Sequence, residues 1–309
     1  MGSQKILLTG ASGFLGSHMA ETLLEAGHNL LLTKRNESNL WRCSSFIDKV
    51  QWTDTDRESL EEEVGLFRPD VMIHAAWDGV AAKNRDEWTT QIDNLKYQQR
   101  LLNLAAQSGV KKIIGIGSQA EYGHFDGYVD ENHPANPTSA YGVTKLASQL
   151  ILKTFCEEND MKWYWFRLFS CFGEREGSDW LIPATIKNML STDAMDLTGG
   201  EQQYAYSYIK DVATIFLSAV DSDSESGIYN VAADKLHSIK EVMLLIRDYL
   251  NPGFKLNFGA LPYRRKQSMV NGSINTKTIR SFGRVSVSSF EDKLIQTIEY
   301  YKAIYNGQQ

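Results

Sequence analysis

A tyrosine and a lysine stand four residues apart in the chain, as Tyr141 and Lys145, and together they could carry out acid–base chemistry. On a helix this spacing puts both side chains on one face, one turn apart. A nearby ammonium group lowers the pKa of a phenol from about 10, so that the phenol can exchange a proton with a carbonyl or hydroxyl group near neutral pH. The pattern alone is common, and its alternative interpretation is a solvated lysine beside a half-buried tyrosine.

Ser118 is a further candidate for contact with the reacting oxygen. It lies in the segment Gly117–Gly123, just past the predicted strand Lys112–Ile116. Ligands of doubly wound sheets bind outside the carboxyl ends of the strands. Ser118 is therefore placed to hydrogen-bond the same substrate oxygen as Tyr141.

A glycine-rich segment, Thr9–Gly16, lies between the apolar run Ile6–Leu8 and a helical pattern. Its glycines are three residues apart: Gly10 permits a tight turn, Gly13 lets the backbone approach a pyrophosphate, and Gly16 lets the helix pack close to the strand. The helix adds free N–H groups and the positive end of its dipole. A turn without a ligand is the alternative, but strand, turn and helix follow in the order that the motif requires. The segment predicts a dinucleotide site.

The residues after the second predicted strand bear on the choice of dinucleotide. Sites for NAD usually place a carboxylate there for the ribose 2′-hydroxyl, whereas sites for NADP place an arginine for the 2′-phosphate. This chain has Lys34 and Arg35, no carboxylate before Glu37, and a possible hydroxyl donor in Ser12. Because two cations suit a phosphate dianion, NADP is the predicted cofactor. NAD is the alternative, with the basic pair as a solvated strand end.

Strand and helix patterns alternate through the first part of the chain. The predicted strands are Ile6–Thr9, Leu30–Thr33, Val50–Thr53, Val71–His74, Lys112–Ile116 and Trp163–Leu168. The predicted helices are Phe14–Ala26, Glu58–Phe67, Arg85–Ser108 and Ser139–Glu158. This alternation predicts an α/β fold with a Rossmann-type, doubly wound parallel sheet. We expect a dinucleotide-binding domain over residues 1–170 and a smaller substrate-binding lobe over 171–309, from which Ile209–Ala219 and Gly227–Val231 return to the sheet.

Composition limits the classes of function. The chain has 309 residues, 42% of them hydrophobic, which is enough to bury a large core. Its 32 Lys and Arg against 38 Asp and Glu give a net charge of −6, which argues against a broad basic face for nucleic acid. The absence of a signal peptide or an apolar membrane-length stretch predicts a cytoplasmic protein without a membrane span. Cys43, Cys156 and Cys171 are scattered, which argues against a metal site or a disulfide framework.

Together the motifs resemble those of the extended short-chain dehydrogenase/reductase family, the group of nucleotide-sugar epimerases, dehydratases and reductases. The resemblance spans nearly the whole chain. It rests on Thr9–Gly16, Asp70–Ala76, Asn94, Ser118 with Tyr122–Gly123, Tyr141–Lys145, Arg167–Phe169, Tyr229–Val231 and Leu261–Arg264.

The resemblance implies roles for individual residues. Ser118, Tyr141 and Lys145 would form the catalytic set, and Lys145 would also bind the nicotinamide ribose hydroxyls. Asp54 would meet the adenine amino group, with a helix N-cap as the alternative interpretation. The other implied cofactor contacts are Gly10, Ser12, Gly13, Phe14, Leu15, Gly16, Lys34, Arg35, Ala75 and Tyr141. The implied substrate contacts are Asn94, Gln119, Ser170 and Arg264, the last of these at the nucleotide diphosphate.

Departures from the family pattern narrow the reaction. Dehydratases of the family carry Asp-Glu directly after the catalytic Ser or Thr, where this chain has Gln119 and Ala120, which cannot shuttle protons. Ala120 also replaces the cysteine acid of the reducing epimerases, which argues against epimerisation at C3 or C5. Oxidation or reduction at one carbon remains, typically sugar C4. The stretch Asn257–Arg264 with Met269 resembles that of 4-keto-6-deoxyhexose reductases, including CDP-abequose-synthase-like enzymes.

The sequence therefore predicts an NADP-dependent C4 ketoreductase of a nucleotide-activated 4-keto-6-deoxy sugar. The alternatives are an NAD-dependent nucleotide-sugar 4-epimerase and a non-enzymatic regulator that senses a dinucleotide. Two departures from the family pattern leave the nucleotide unidentified. Many members have a phosphate-binding arginine at the position of Tyr204, and the usual asparagine is replaced by Ser170. The resemblance also implies a homodimer, formed through the helices Arg85–Ser108 and Ser139–Glu158 of each subunit.

Overall fold

A computed structural model of the chain describes residues 2–81, 84–263, 267–285 and 289–307. Its strands are β1 (Lys5–Thr9), β2 (Asn29–Lys34), β3 (Gln51–Asp54), β4 (Val71–His74), β5 (Lys112–Ser118), β6 (Gly127–Val129), β7 (Lys162–Leu168), β8 (Cys171–Phe172), β9 (Ala194–Leu197), β10 (Gln203–Tyr204), β11 (Ser207–Tyr208), β12 (Gly227–Val231), β13 (His237–Ser238), β14 (Lys255–Phe258) and β15 (Val270–Ser273). Its α-helices are α1 (Phe14–Glu25), α2 (Leu60–Phe67), α3 (Trp88–Ser108), α4 (Ala140–Glu158), α5 (Leu181–Ser191), α6 (Ile209–Asp221), α7 (Ile239–Leu250), α8 (Thr276–Phe282) and α9 (Phe290–Asn306).

Seven parallel strands form the central sheet, in the order β12-β7-β5-β4-β1-β2-β3. Apolar runs such as Ile6–Leu8 and Val71–Ile73 are buried, as expected of parallel strands covered on both faces. Helices α1, α6 and α8 pack on one face, and α2, α3 and α4 pack on the other. The predicted α/β fold with a doubly wound parallel sheet is confirmed. All strands of this sheet end at one edge, where ligands of such folds bind.

Residues after 170 contribute to this sheet as well as to the surrounding layers. Gly227–Val231 is the edge strand β12, which pairs with β7 so that Tyr229 lies opposite Phe166. Helix α6 packs beside α1 on the same face of the sheet. A second sheet, in the order β13-β10-β15-β6, joins C-terminal strands to the short strand Gly127–Val129. None of the helices in the described ranges has the length and apolar character needed to cross a bilayer.

Capping residues explain where the helices begin. Glu87 caps α3 by accepting a hydrogen bond from the Thr90 N–H at 2.8 Å, so this helix begins three residues after the predicted start. Helix α2 begins at Leu60 with Ser59 in the N-cap position. The alternative interpretation of Asp54 as a helix N-cap is therefore wrong, because Asp54 ends β3 and accepts a hydrogen bond from the Asp56 N–H at 3.1 Å.

Candidate active site

The glycine-rich turn leaves no room for side chains at two of its positions. Gly10 has a φ of +73°, and a Cβ atom there would lie 2.6 Å from the Ala76 nitrogen. A Cβ atom on Gly16 would lie 2.1 Å from the Gly10 carbonyl oxygen. The N-terminus of α1 is therefore held directly against the end of β1, with Gly13 as its N-cap residue. This close approach keeps side chains away at these two positions, so that a phosphate could reach the backbone of the turn.

A cavity of about 540 Å³ opens in front of this turn, at the carboxyl ends of β1, β2 and β4. Its lining residues are Gly10, Ser12, Gly13, Thr33, Lys34, Arg35, Ser38, Thr55, Asp56, Ala75, Ala76, Trp77, Asp78, Thr90, Asp93, Asn94, Tyr97 and Arg100. Six of the predicted cofactor contacts are in this lining: Gly10, Ser12, Gly13, Lys34, Arg35 and Ala75. The other predicted cofactor contacts are outside this lining: Phe14, Leu15, Gly16, Asp54, Tyr141 and Lys145. A groove walled by a glycine turn and cations fits the phosphates of a dinucleotide.

The two predicted cations each pair with a carboxylate. Lys34 Nζ lies 3.7 Å from Oδ2 of the buried Asp54. Arg35 Nη1 bonds to Asp78 Oδ2 at 2.9 Å, and both of these side chains are more than half exposed. An exposed ion pair of this kind contributes little free energy, so a phosphate could displace Asp78 from Arg35 at small cost. Asp54 thus contacts a lysine and lies outside the cavity lining.

Asn94 lines the cavity and binds the loop that follows β4. Its side-chain amide accepts a hydrogen bond from the Asp78 N–H at 2.8 Å and donates to the Asp78 carbonyl at 3.1 Å and the Thr90 carbonyl at 2.9 Å. The amide therefore holds the loop that follows β4, on the wall of the cavity. The substrate contact implied for Asn94 stays a prediction.

Three elements bring Ser118, Tyr141 and Lys145 together. Ser118 ends β5 and caps a 3₁₀ turn over Gln119–Glu121, while Tyr141 and Lys145 lie in the first two turns of α4. Gly142 allows this approach, because a Cβ atom there would lie 2.4 Å from the Ala120 carbonyl oxygen. Both Tyr141 and Lys145 are buried, at 6% and 4% exposure. Lys145 Nζ donates to the Ile116 carbonyl at 2.8 Å, just inside the strand that ends in Ser118.

Burial dominates the electrostatics of these groups. It raises the pKa of Tyr141, against the opposite effects of the Arg85 charge and a hydrogen bond with Ser118. This direction is the reverse of the lowered phenol pKa expected from the Tyr-Lys spacing. Burial also lowers the pKa of Lys145 to about 7, and the charge of Glu121 opposes that shift. Tyr141 is consequently a neutral phenol that holds its proton until a strong acceptor develops beside it.

Trp77 is a residue of this site that sequence reasoning missed. It lines the cavity, and its ring centroid lies 3.5 Å from Lys145 Nζ and 6.4 Å from the Tyr141 ring centroid. Its indole Nε1 donates to Gln91 Oε1 at 3.0 Å. The indole thus connects the cavity with the side chains of Tyr141 and Lys145. Trp77 directly follows the segment His74-Ala75-Ala76, which begins at the end of β4, and this position is the sequence signal that could have identified it.

The remaining predicted substrate residues lie in different surroundings. The Gln119 Oε1 atom is buried and accepts no hydrogen bond from the residues that the structure describes. Ser170 follows β7, and its carbonyl oxygen accepts a hydrogen bond from the Ser207 N–H at 2.8 Å. Arg264 lies outside the described residues. Gln119 therefore offers an unsatisfied acceptor next to Ser118.

Comparison with known proteins gives a family for this arrangement. Residues 6–232 match the NAD dependent epimerase/dehydratase family. The chain is 26% identical to CDP-abequose synthase of Salmonella muenchen, over 94% of this chain and 95% of that protein. It is 26% identical to an uncharacterized UDP-glucose epimerase of Bacillus subtilis (strain 168), over 98% of this chain and 100% of that protein.

A solved structure supports the same fold. The UDP-glucose 4-epimerase of Thermotoga maritima, determined with UDP-glucose, superposes with a TM-score of 0.88 at 22% identity, over 97% of this chain and 99% of that chain. The glycine turn, the parallel sheet and the family match agree with one another. The chain belongs to the NAD dependent epimerase/dehydratase family, and it is an NAD(P)-dependent enzyme of the extended short-chain dehydrogenase/reductase type.

Proposed function

We propose that the protein is an NADP-dependent ketoreductase that acts at C4 of a nucleotide-activated 4-keto-6-deoxy sugar. The observation that carries this proposal is the neutral, buried phenol of Tyr141 beside Ser118, together with Gln119 and Ala120, whose side chains supply no second acid or base. One proton donor suffices to reduce one ketone, whereas dehydration and C3 or C5 epimerisation need further acid–base groups.

The proposed step adds a hydride and a proton across the C4 carbonyl. When bound in the cavity, the reduced nicotinamide supplies the hydride to the carbonyl carbon. Tyr141 donates its phenolic proton to the carbonyl oxygen as negative charge develops there, and Ser118 donates a hydrogen bond to that oxygen. The charge of Lys145 stabilises the phenolate until Tyr141 regains a proton from solvent.

Relatives support both this function and one alternative. Besides CDP-abequose synthase, the chain is 25% identical to the dTDP-6-deoxy-L-talose 4-dehydrogenase (NAD(+)) of Aggregatibacter actinomycetemcomitans, over 85% of this chain and 97% of that protein. The alternative is an NAD-dependent 4-epimerase of a nucleotide sugar. It is favoured by the Bacillus relative and by the carboxylates of Asp56 and Asp78 in the cavity lining, which could accept hydrogen bonds from ribose hydroxyls.

One assay separates these functions. NADPH and NADH oxidation would be followed with a panel of 4-keto-6-deoxy sugars that carry different nucleotides, alongside nucleotide hexoses without a ketone. We expect stoichiometric NADPH consumption with a keto sugar. Conversion of a hexose to its 4-epimer with no net change in cofactor would support the epimerase instead. Cofactor binding without turnover of any sugar would indicate a regulator.

The preference for NADP predicts the effect of Arg35→Asp. Loss of the cation should weaken NADPH binding by roughly tenfold to a hundredfold, because a charge-assisted hydrogen bond to a phosphate is lost. NADH affinity should change little, since NADH has no 2′-phosphate. Arg284→Asp is a matched control: Arg284 is also an exposed arginine paired with an exposed carboxylate, that of Asp234, but it lies outside the cavity lining. Equal losses for both cofactors, measured by titration, would show that Arg35 does not read the phosphate.

The protein is proposed to form a homodimer through α3 and α4. These neighbouring helices present apolar side chains that are exposed to solvent over more than a third of their surface: Trp88, Ile92, Val143, Leu150 and Ile151. A symmetric interface would pair the two helices with their copies. We expect Leu150→Glu to convert the dimer to the 34.9 kDa monomer in a solution mass measurement. Leu66→Glu, on the exposed side of α2, should leave the mass unchanged. A wild-type protein that is monomeric at micromolar concentration would contradict the proposal.

A further inference from the structure

A buried carboxylate lies directly behind the catalytic serine. Glu121 has no exposed surface, and its Oε1 atom accepts hydrogen bonds from the Ser118 N–H at 2.8 Å and the Trp165 indole N–H at 3.0 Å. Its Oε2 atom accepts a hydrogen bond from Arg167 Nε at 2.7 Å. Ser118 and Glu121 together form a capping box around the 3₁₀ turn. The main chain at Ser118 is therefore fixed by a charged group.

The surroundings are shaped for this charge. A Cβ atom on Gly117 would lie 2.5 Å from Glu121 Oε1 and 2.2 Å from the Trp165 indole nitrogen, so glycine makes room for the hydrogen bond between them. The Arg167 guanidinium stacks on the Tyr122 ring at 4.4 Å. A buried ion pair is often no more stabilising than apolar side chains of the same volume. Stability alone therefore does not explain why a carboxylate, and not an apolar side chain, occupies this position.

The same carboxylate lies close to Lys145. Lys145 Nζ donates to the Ile116 carbonyl and Glu121 Oε1 accepts from the Ser118 N–H, so the two groups contact the main chain on either side of Gly117. The titratable and charged groups facing the Lys145 ammonium are Tyr141 on its own helix, His74 from β4, and Glu121 from the 3₁₀ turn, with Arg167 of β7 behind Glu121. Burial lowers the pKa of His74 to about 3, so His74 is neutral. Among the described residues that face Lys145, Glu121 thus carries the negative charge. Arg85 lies beyond, 5.1 Å from the Tyr141 ring centroid.

We propose that Glu121 is a positioning residue of the active site, which fixes the Ser118 main chain and holds the Lys145 ammonium in its charged form. This inference rests on the proposed function for its catalytic meaning, but the charge state of Lys145 can be measured without turnover. Glu121 acts through Ser118 and Lys145 and touches no reacting atom. A merely structural carboxylate would affect folding and leave the titration of Lys145 unchanged.

The test is the titration of Lys145 in the wild-type protein and in Glu121→Gln, which keeps the shape of the side chain and removes its charge. Lysine side chains labelled with ¹³C would be followed by NMR from pH 5 to 10, and the Lys145 signal would be assigned from its absence in Lys145→Met. Ordinary lysines titrate near 10.4, so a buried lysine that titrates several units lower is resolved from them. We expect the Lys145 midpoint to fall by about one pH unit in Glu121→Gln.

Matched variants separate charge from folding. Glu121→Asp should return the midpoint towards the wild-type value, because it restores the charge. Glu174→Gln removes another buried carboxylate, bonded to Tyr208 and Lys210, and should leave the Lys145 midpoint unchanged. If Glu121→Gln does not fold, the double variant Glu121→Gln with Arg167→Met is compared with Arg167→Met alone, because these two proteins differ only in the charge of Glu121. The Lys145 midpoint should then be lower in the double variant than in Arg167→Met. An unchanged midpoint in folded Glu121→Gln, or equal midpoints in the double variant and Arg167→Met, would overturn the proposal, whether or not a substrate has been found.

If the reductase assay succeeds, the pH profile gives a second measurement. In Glu121→Gln, Lys145 should lose its proton at a lower pH. The decline of the single-turnover rate at high pH should therefore begin about one pH unit lower than in the wild type. If the rate falls equally at every pH, Glu121 has only a structural role. Failure to find any substrate would count against the proposed function and not against the titration.

Discussion

Replacement of Tyr141 by phenylalanine should lower the single-turnover rate of ketone reduction by roughly 10²–10⁴-fold. The variant loses only the hydroxyl that donates the proton, and the ring keeps its edge-to-face contact with Trp77. NADPH affinity should therefore remain within about threefold of the wild-type value, since the ground-state contacts of the cavity are intact. Stopped-flow oxidation of NADPH with the best keto sugar, and titration of the cofactor without sugar, would check the two expectations.

Tyr164→Phe provides the control for this variant. Tyr164 is also a buried tyrosine, and its hydroxyl donates to the Ser224 carbonyl at 3.0 Å, away from the site. Its loss should cost about 1 kcal/mol of unfolding free energy and leave the reduction rate unchanged. A wild-type rate in Tyr141→Phe would remove Tyr141 from the mechanism. A parallel loss of NADPH binding would give it a role in holding the cofactor.

Gly16→Ala should separate the glycine turn from helix α1 and damage both stability and cofactor binding. The new methyl group would lie 2.1 Å from the Gly10 carbonyl oxygen, 2.7 Å from the Gly10 carbonyl carbon and 3.0 Å from Ala11 Cα. All three are backbone atoms, so no side-chain rotation relieves the clash. We expect unfolding in urea to show a loss of about 2–3 kcal/mol. NADPH affinity should fall at least about tenfold, because the backbone N–H groups of the turn are displaced.

Gly65→Ala is the matched control for this substitution. Gly65 lies inside α2, and a Cβ atom there would meet no other atom within 4 Å. Alanine in a helix interior is favoured over glycine by about 0.5–1 kcal/mol, so this variant should be slightly more stable than the wild type. If Gly16→Ala has the same urea midpoint of unfolding as the wild type and binds NADPH with the same affinity, the close contact between α1 and the turn is not needed for stability or for cofactor binding.

The features that sequence analysis predicts correctly depend on neighbours along the chain. The parallel sheet follows from short apolar runs that alternate with amphipathic segments, and the glycine turn follows from a fixed local spacing. Helix starts are less well predicted, because the pattern at Arg85–Glu87 is compatible with a helix that the Glu87 cap excludes. Capping depends on a few hydrogen bonds that periodicity does not detect.

Features that depend on contacts across the fold are not predictable from local sequence patterns. The direction of the Tyr141 pKa shift is decided by burial between α4, the 3₁₀ turn and Trp77, which no local spacing reveals. The partner of Glu121 is Arg167, 46 residues away in the chain. The Ser118-x-x-Glu121 spacing is a capping-box signature and could have drawn attention to Glu121, but not to its effect on Lys145.

The edge strand β12 has a consequence for biosynthesis. Before β12 has been synthesised, strand β7 lacks its neighbour on one side. The N–H and C=O groups on that side of β7 can then pair with another chain. Helix α6, which covers the sheet beside α1, is also made only shortly before β12. Fragments that end near residue 170 should therefore aggregate when expressed, although the sequence pattern changes there. A truncation or a fusion junction should therefore be placed after β12. The central sheet is complete only when β12 is present, and β12 begins about sixty residues after the end of β7.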